Sequence, residues 1–332
     1  SLIKMVNCGM LYNKRESFTD FVKLIDTLNI SYIHNCEKKE FLSNLEKVTT
    51  VNYYNGTYSY SCKYKDYSIT VGDTRIKLKG SIAKQHYGNN FNTTSRPQFI
   101  ETIGELSHHL KIDVGKFKLN RIDVATNYIT DHSPAVYFDY LGQDKYGNWV
   151  RQPQWNTTVY WYQTKRKKLC YDKSVWAKNN GIEIPFNYKG QNIFRFENRL
   201  MSAFVISEVM GKQKPLVKHL YDKDVYKILI DEWYNQWKNI EKIKKVNFNL
   251  KNSMKQSDIE NLMIAKFIDA MGEEQYSTLL QRMKDYGVFK HPSQYTRFKN
   301  AIKEKRRINC VENNPLIDEL EMKIGDVEVY YS

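Results

Sequence analysis

Residues 50–80, which run "VNYYNGTYSYSCKYKDYSITVGDTRIKLKG" from Val51, alternate apolar or aromatic with polar side chains. Breaks fall at Asn55-Gly56 and Gly72-Asp73. This period of two, interrupted by turn-forming pairs, predicts consecutive β-hairpins. "SRPQFIETIGELSHHL" (95–110) changes to helical spacing, with Ser95 as N-cap and Pro97 in the first turn. Strands are predicted again in "KLNRIDVATNYI" (118–129), in "TTVYWYQT" (157–164) with "KKLCYDKSV" (167–175), and in "NIFRFENRL" (192–200). A short helix from about Ser133 separates the first of these from the rest. "SFTDFVKLIDTL" (17–28) reads as helix, although Ile25 to Ile30 can equally begin a strand.

After Met201 the period changes. "DVYKILIDEWYNQWKNI" places Tyr226, Ile230, Trp233, Trp237 and Ile240 at alternating steps of four and three, one apolar stripe on a helix. Such a stripe is ordinarily core. "SDIENLMIAKFIDAM", "EEQYSTLLQRMKDYG" and "SQYTRFKNAIKEKRR" also have helical spacing. The expected class is α+β: a largely antiparallel sheet to about residue 211, then a mainly helical region over 212–332.

Charge adds a partner. The chain of 332 residues carries a formal net charge of +14, and 25 of its residues are tyrosines. Lysine and arginine that neutralise phosphates release counterions, and aromatic rings give bases a stacking surface, so a nucleic acid is the expected partner. The five cysteines are scattered without a CxxC pair, which argues against a zinc ribbon or a disulfide framework and for a reducing cytoplasm. No apolar run reaches the ~20 residues of a membrane span, and no signal-peptide pattern opens the chain.

Candidate chemistry lies in three of the predicted strands. Side chains alternate between faces, so Arg121 and Asp123 share one side of their strand, and Arg195, Glu197 and Arg199 share one side of theirs. Tyr171 and Lys173 fall on a common side of the third. If the polar sides converge, two carboxylates, a phenol, a lysine and several arginines meet. That set suits phosphodiester transesterification. Asp123 and Glu197 offer hard oxygen ligands to Mg²⁺ or Mn²⁺, Lys173 and Arg195 suit phosphate oxygens, and the Tyr171 hydroxyl is a candidate nucleophile once a nearby cation or metal favours its phenolate. The plainer alternative is that Arg121–Asp123 and Arg195–Glu197 are exposed strand ion pairs of little energetic worth. Tyr160, Tyr162 and Tyr188 are rival tyrosines.

These residues resemble the gene II/X replication initiators of filamentous phages and related plasmids, which are rolling-circle nicking enzymes. The similar segments run in order: "LIDTLNI" (24–30), "GSIAKQHYGNNF" (80–91), "NRIDVAT" (120–126), "TTVYWYQTKRKKLCYDK" (157–173) and "FRFENRL" (194–200). The resemblance spans roughly residues 24–205. It implies that residues 1–23 are an N-terminal extension, that 24–211 is a nicking domain, and that the tyrosine of Tyr-x-Lys, here Tyr171, attacks the DNA. It places the acidic residues of two other motifs on Asp123 and Glu197. The family pattern often continues with a glutamate after Tyr-x-Lys. Here Ser174, Val175 and Trp176 follow, leaving a third metal ligand unassigned.

The expected partners are therefore single-stranded and duplex origin DNA, with a host helicase and polymerase, in a bacterial cytoplasm. The basic turn Lys165, Arg166, Lys167 and Lys168, together with Arg121 and Arg199, is expected to contact that DNA. In the helical region Lys299, Lys303 and Arg306 share a helix face and are expected to meet the backbone, with Phe298 and Ile302 anchoring the helix; the alternative is a solvated face. None of the seven histidines forms His-x-His, there is no His-x-x-Arg tetrad of a tyrosine recombinase, and no P-loop is present. The rival function is a non-catalytic origin-binding or copy-control protein. An RNA-binding module is a third, without a recognisable RNP-type motif.

Overall fold

The computed structural model describes residues 25–33, 38–43, 45–53, 56–146, 149–154, 156–243, 255–309 and 314–329, without the side chains of 38–40, 269–270, 273, 306–309 and 326–329. The expected N-terminal extension, residues 1–23, lies outside it. The described chain is α+β, with ten strands of a largely antiparallel sheet and then a mainly helical C-terminal region. It divides into two compact units that interleave along the sequence. One is built from residues up to Ile122 with Ile206–Ile230, the other from Asp123–Val205 and from Asp231 onward.

In the first unit the elements are β1 (Ile25–Ile33), α1 (Lys38–Ser43), β2 (Thr49–Asn52), β3 (Tyr58–Tyr64), β4 (Tyr67–Val71), β5 (Arg75–Ser81), α2 (Ile82–Tyr87) and α3 (Arg96–Leu110). The strands hydrogen-bond in the order β2-β3-β4-β5-β1. The hairpins fall where the turn pairs predicted them, and a third turn at Lys65-Asp66 joins β3 to β4, with Lys65 at φ 47°. The helical reading of residues 25–28 gives way to strand. Leu28 and Ile30 pair with Gly80 and Leu78 of β5, and this tertiary pairing overrides a local apolar period. Gly80 has a steric reason: a Cβ there would come within 2.8 Å of the Tyr67 ring and 3.0 Å of the Asp66 carbonyl.

The strand β6 (Lys118–Thr130) begins in the first unit and ends in the second. The second unit continues with α4 (Pro134–Phe138), β7 (Leu141–Asp144), β8 (Val150–Gln154), β9 (Thr158–Gln163), β10 (Arg166–Asp172), α5 (Lys173–Asn179) and β11 (Asn192–Leu200). After α6 (Ala203–Met210) and α7 (Lys223–Lys238) come β12 (Ile240–Lys242), α8 (Gln256–Met271), α9 (Glu273–Asp285), α10 (Pro292–Asn309) and α11 (Pro315–Val329). The strands here run β6-β11-β10-β9-β8, and β7 pairs separately with β12. Pro153 keeps β8 at the edge of this order, where a missing N–H costs little.

The core of the second unit follows from strand alternation. Phe194 and Phe196 leave one face of β11 and meet the tryptophans of α7: Phe196 lies 5.3 Å from both Trp233 and Trp237, centroid to centroid. Trp233, Trp237 and Ile240 are fully buried, so the aromatic stripe is core, with Ile240 in β12 rather than at the helix end. No described helix is long and apolar enough to cross a membrane.

Candidate active site

The opposite face of β11 carries Arg195, Glu197 and Arg199. Its antiparallel neighbour β10 sets Tyr171 against Arg195, Leu169 against Glu197 and Lys167 against Arg199. The register therefore delivers the tyrosine to the charged face, and not to the phenylalanine face. Arg195 is fully buried and Glu197 nearly so. The reading of these two as an exposed, weak ion pair is thereby corrected.

Glu197 is the centre of the cluster. One carboxylate oxygen, Oε1, accepts from Arg199 Nε at 2.5 Å; the other, Oε2, accepts from Arg195 Nε at 3.3 Å and from the Tyr171 hydroxyl at 3.5 Å. Burial by itself pushes the Glu197 carboxyl up. The charges of Arg199 and Arg195 and their hydrogen bonds outweigh this and hold it down at about 2. Arg199 is raised in turn: burial works against its charge, and Glu197 and Asp123 more than compensate. Asp123 Oδ2 stands 3.6 Å from the same Arg199 Nε. Two carboxylates thus face two guanidiniums.

β6 contributes a further residue to this cluster. Asn127, four along from Asp123, accepts from Arg195 Nη1 at 3.1 Å. The sequence reading passed over Asn127, although its even spacing from Asp123 places both on one strand face. Trp176, which stands near where the family pattern often has an acid, packs by the nucleophile candidate instead. Its ring lies 6.2 Å from that of Tyr171.

Lys173 is not on the strand. β10 ends at Asp172, which caps α5 by accepting from Val175 N at 2.9 Å, and Lys173 opens the helix. The expected common side for Tyr171 and Lys173 is therefore replaced by a strand-to-helix junction. Lys173 is fully buried, its ammonium 3.8 Å from the centre of the Trp176 ring. Tyr171 itself is 6% exposed. Of the rival tyrosines, Tyr162 is exposed and Tyr160 lies beneath the Lys167 ammonium at 3.9 Å.

Asp123 Oδ2 and Glu197 Oε1 both lie within ion-pair reach of Arg199 Nε, so they are at most roughly 6 Å apart. Metal–oxygen distances of about 2.0–2.6 Å let one hard cation bridge oxygens at somewhat shorter separation. The pair fits Mg²⁺ or Mn²⁺ in donor type, and Arg199 is the group such a cation competes with. Among the described residues no group of three His, Cys, Asp or Glu side chains is placed to hold a metal.

The basic turn divides between the two faces. Lys165 is exposed, 5.0 Å from the Phe204 ring centre, and Lys167 shares the Tyr171 face. Arg166 and Lys168 point the other way, toward α7. Arg166 donates to Glu232 at 2.7 Å, and Lys168 is fully buried, paired with Asp144. Burial pushes the Lys168 ammonium down and Asp144 opposes that. The expectation that Lys168 meets DNA is corrected on this ground, since its charge has no route to a phosphate. Lys168→Met should cost about 3–5 kcal/mol by leaving Asp144 buried without its partner. Urea unfolding reads that loss, and Lys168→Met with Asp144→Leu should recover most of it.

In the other unit, Arg121 is half-buried on β6. The segments "LIDTLNI" and "GSIAKQHYGNNF" have a shared structural task there. Ser81 donates to Asp26 Oδ1 at 2.8 Å while its own N–H donates to Asp66 at 2.9 Å, and Lys84 pairs with Asp66 at 3.3 Å. On α10, Lys299 is exposed and Lys303 stands 3.9 Å from Glu241; the Arg306 side chain lies outside the described residues. Ile302 is buried as expected, but Phe298 is partly exposed and packs on Phe289 at 5.6 Å.

The N-terminal family of replication-associated proteins of the phage gene II type matches residues 19–218, more than half of the chain. The match takes in β6, β10 and β11, and with them every residue of the cluster around Glu197. No curated protein matches the chain.

Proposed function

Because the chain belongs to this family of replication-associated proteins, the filamentous-phage gene II type of replication initiator, we propose that it starts rolling-circle synthesis by nicking one strand of an origin with Tyr171. The observation that carries this reading is the Tyr171 hydroxyl on Glu197 Oε2, inside a cluster holding Arg195, Arg199 and Asp123. The phenolic oxygen attacks the phosphorus and the bond to the 3′-oxygen breaks. The 5′-phosphate stays on the tyrosine, and the phenolic proton is balanced by the one the departing 3′-oxygen takes up. The free 3′-hydroxyl primes a host polymerase, and the phosphotyrosine bond retains the energy for rejoining.

The residues divide the work. Arg199, partly exposed, is a fork-shaped donor suited to phosphate oxygens, and a diester arriving at the cluster gives it a second anion, while the fully buried Arg195 donates to Glu197 and Asn127 and holds them in place. Asp123 and Glu197 would hold Mg²⁺ or Mn²⁺, which supplies charge stabilisation at the scissile phosphate. Glu197, kept ionised by its arginines, accepts the hydroxyl hydrogen bond and orients the phenol. Lys165 and Lys167 border this face and suit the flanking backbone, and a host helicase is the expected source of single-stranded origin.

A protein that only bound the origin would have the same charge and aromatics without needing a phenol on a buried carboxylate. Incubation with labelled single-stranded origin DNA and Mg²⁺ separates the two. A covalent protein–DNA adduct supports nicking, and stable binding without an adduct supports the non-catalytic reading.

A further inference from the structure

A cavity of about 1160 Å³ lies within the second unit, apart from the residues around Glu197. The β7–β12 pair and the start of β8 line it from one side, and α9 and α10 from the other. We infer that this cavity is a second DNA site, one that takes a short stretch of single strand, with bases against Trp149, Tyr276 and Tyr295 and phosphates on Lys299 and Lys303. The inference rests on the reading that the protein handles origin DNA, and it extends that reading to Tyr276, Tyr295, Lys299 and Lys303, which lie beyond the family match.

The spacing on α10 sets the pattern. Tyr295, Lys299 and Lys303 are each four residues apart, so one helix face presents a ring and then two ammonium groups. Tyr276 comes from α9 and Trp149 from the opposite wall, where the Lys145 ammonium is tied to the Lys238 carbonyl at 3.0 Å. Sequence-tolerant binding of single strands uses this combination, cations along the backbone and rings beneath the bases. A duplex keeps its bases stacked inward, so rings set in a recess reach bases only on an unpaired strand.

The acids of the lining do not cancel the cations. Asp144 is engaged by the buried Lys168. Glu241 touches Lys303 at 3.9 Å with both side chains partly exposed, a contact of little strength that a phosphate can replace. Lys242 also borders the cavity, but its ammonium donates inward to the Trp237 and Ile240 carbonyls, so it acts as wall. The Trp149 ring is held by a cation–π contact, its centre 4.2 Å from the Lys168 ammonium. The cavity exceeds the usual ~300–1,000 Å³ of a small-ligand pocket, in keeping with a segment of polymer.

The test is equilibrium binding of a short fluorescein-labelled oligothymidylate without origin sequence to the full chain, read by anisotropy over a salt series. Tyr276→Ala should weaken binding by about tenfold and leave a duplex of equal length unaffected. Lys299→Ala with Lys303→Ala should shallow the slope of log K against log salt by about 1.4, at about 0.7 per lost single-strand contact. Photo-crosslinking through bromodeoxyuridine should map to peptides holding Trp149, Tyr276 or Tyr295. Unchanged thermal melting certifies each variant as folded. Affinity within twofold of the parent in both variants, equal weakening on duplex and single strand, or crosslinks only outside these peptides would overturn the inference. Adduct formation does not enter this assay, so a failure of Tyr171 to nick and a failure of the cavity to bind are separate results.

Discussion

Tyr171→Phe should eliminate both nicking and the covalent adduct while leaving origin binding and stability almost unchanged. The expectation follows from what the hydroxyl touches. It makes a long hydrogen bond of 3.5 Å to Glu197 Oε2, and that oxygen also accepts from Arg195. Losing so weak a bond costs at most about 1 kcal/mol, because Glu197 keeps both guanidiniums. The buried ring keeps its packing beside Trp176. Chemistry has no such reserve, since phenylalanine offers no atom to attack phosphorus. The measurement is denaturing gel electrophoresis of protein incubated with labelled single-stranded origin and Mg²⁺. An adduct that persists in the variant, mapped to Tyr160, Tyr162 or Tyr188, would remove Tyr171 from the proposed role.

Much of this cluster was legible because strand alternation is a strict rule. Arg195, Glu197 and Arg199 had to share a face, and Phe194 and Phe196 had to share the other. Tyr171 could be paired with them only through the β10–β11 register, and no tight turn fixes that register, since α5 and a further segment join the two strands. Lys168 shows how that matters. As one of four consecutive basic residues it reads as surface, yet alternation turns it and Arg166 inward, to Asp144 at the end of β7 and Glu232 on α7. Lys173 was misplaced for a different reason. Alternation was carried one residue past the end of β10, and the signal that stops it is Asp172, an N-cap three residues before the amide it accepts from. The cavity above β7 and β12 had no sequence signal at all, because it is assembled from short segments between residues 143 and 303. Its α10 face was visible as a basic helix, but nothing in the sequence placed Trp149 or Tyr276 opposite it.

Glu197→Gln should abolish nicking and also destabilise the fold, and Asp123→Asn should separate the two effects. Glutamine at 197 leaves Arg195, fully buried, and Arg199 facing a neutral amide. Removing one partner from a buried ionic cluster costs about 3–5 kcal/mol. The pH dependence identifies the cause. In the folded chain the Glu197 carboxyl sits at about 2, below the ordinary ~4.3 of an unfolded glutamate, so its contribution is complete above ~4.3 and is lost as pH falls toward 2. The parent should therefore lose urea resistance between pH 5 and pH 3 more steeply than Glu197→Gln, which has no proton to bind there. Equal slopes would show that Glu197 is not held ionised by its arginines. Asp123 is the gentler probe, since its contact with Arg199 is longer and that guanidinium keeps Glu197. Asp123→Asn should fold, bind origin DNA, and lose Mg²⁺-dependent nicking, because a neutral amide is a poor ligand for a hard cation. Mn²⁺ titration followed by electron paramagnetic resonance, with origin DNA present, should show weaker metal binding in the variant. Parental Mn²⁺ affinity, or nicking by the parent that survives EDTA, would strike the metal from the proposed mechanism and leave Arg199 to stabilise the phosphate alone.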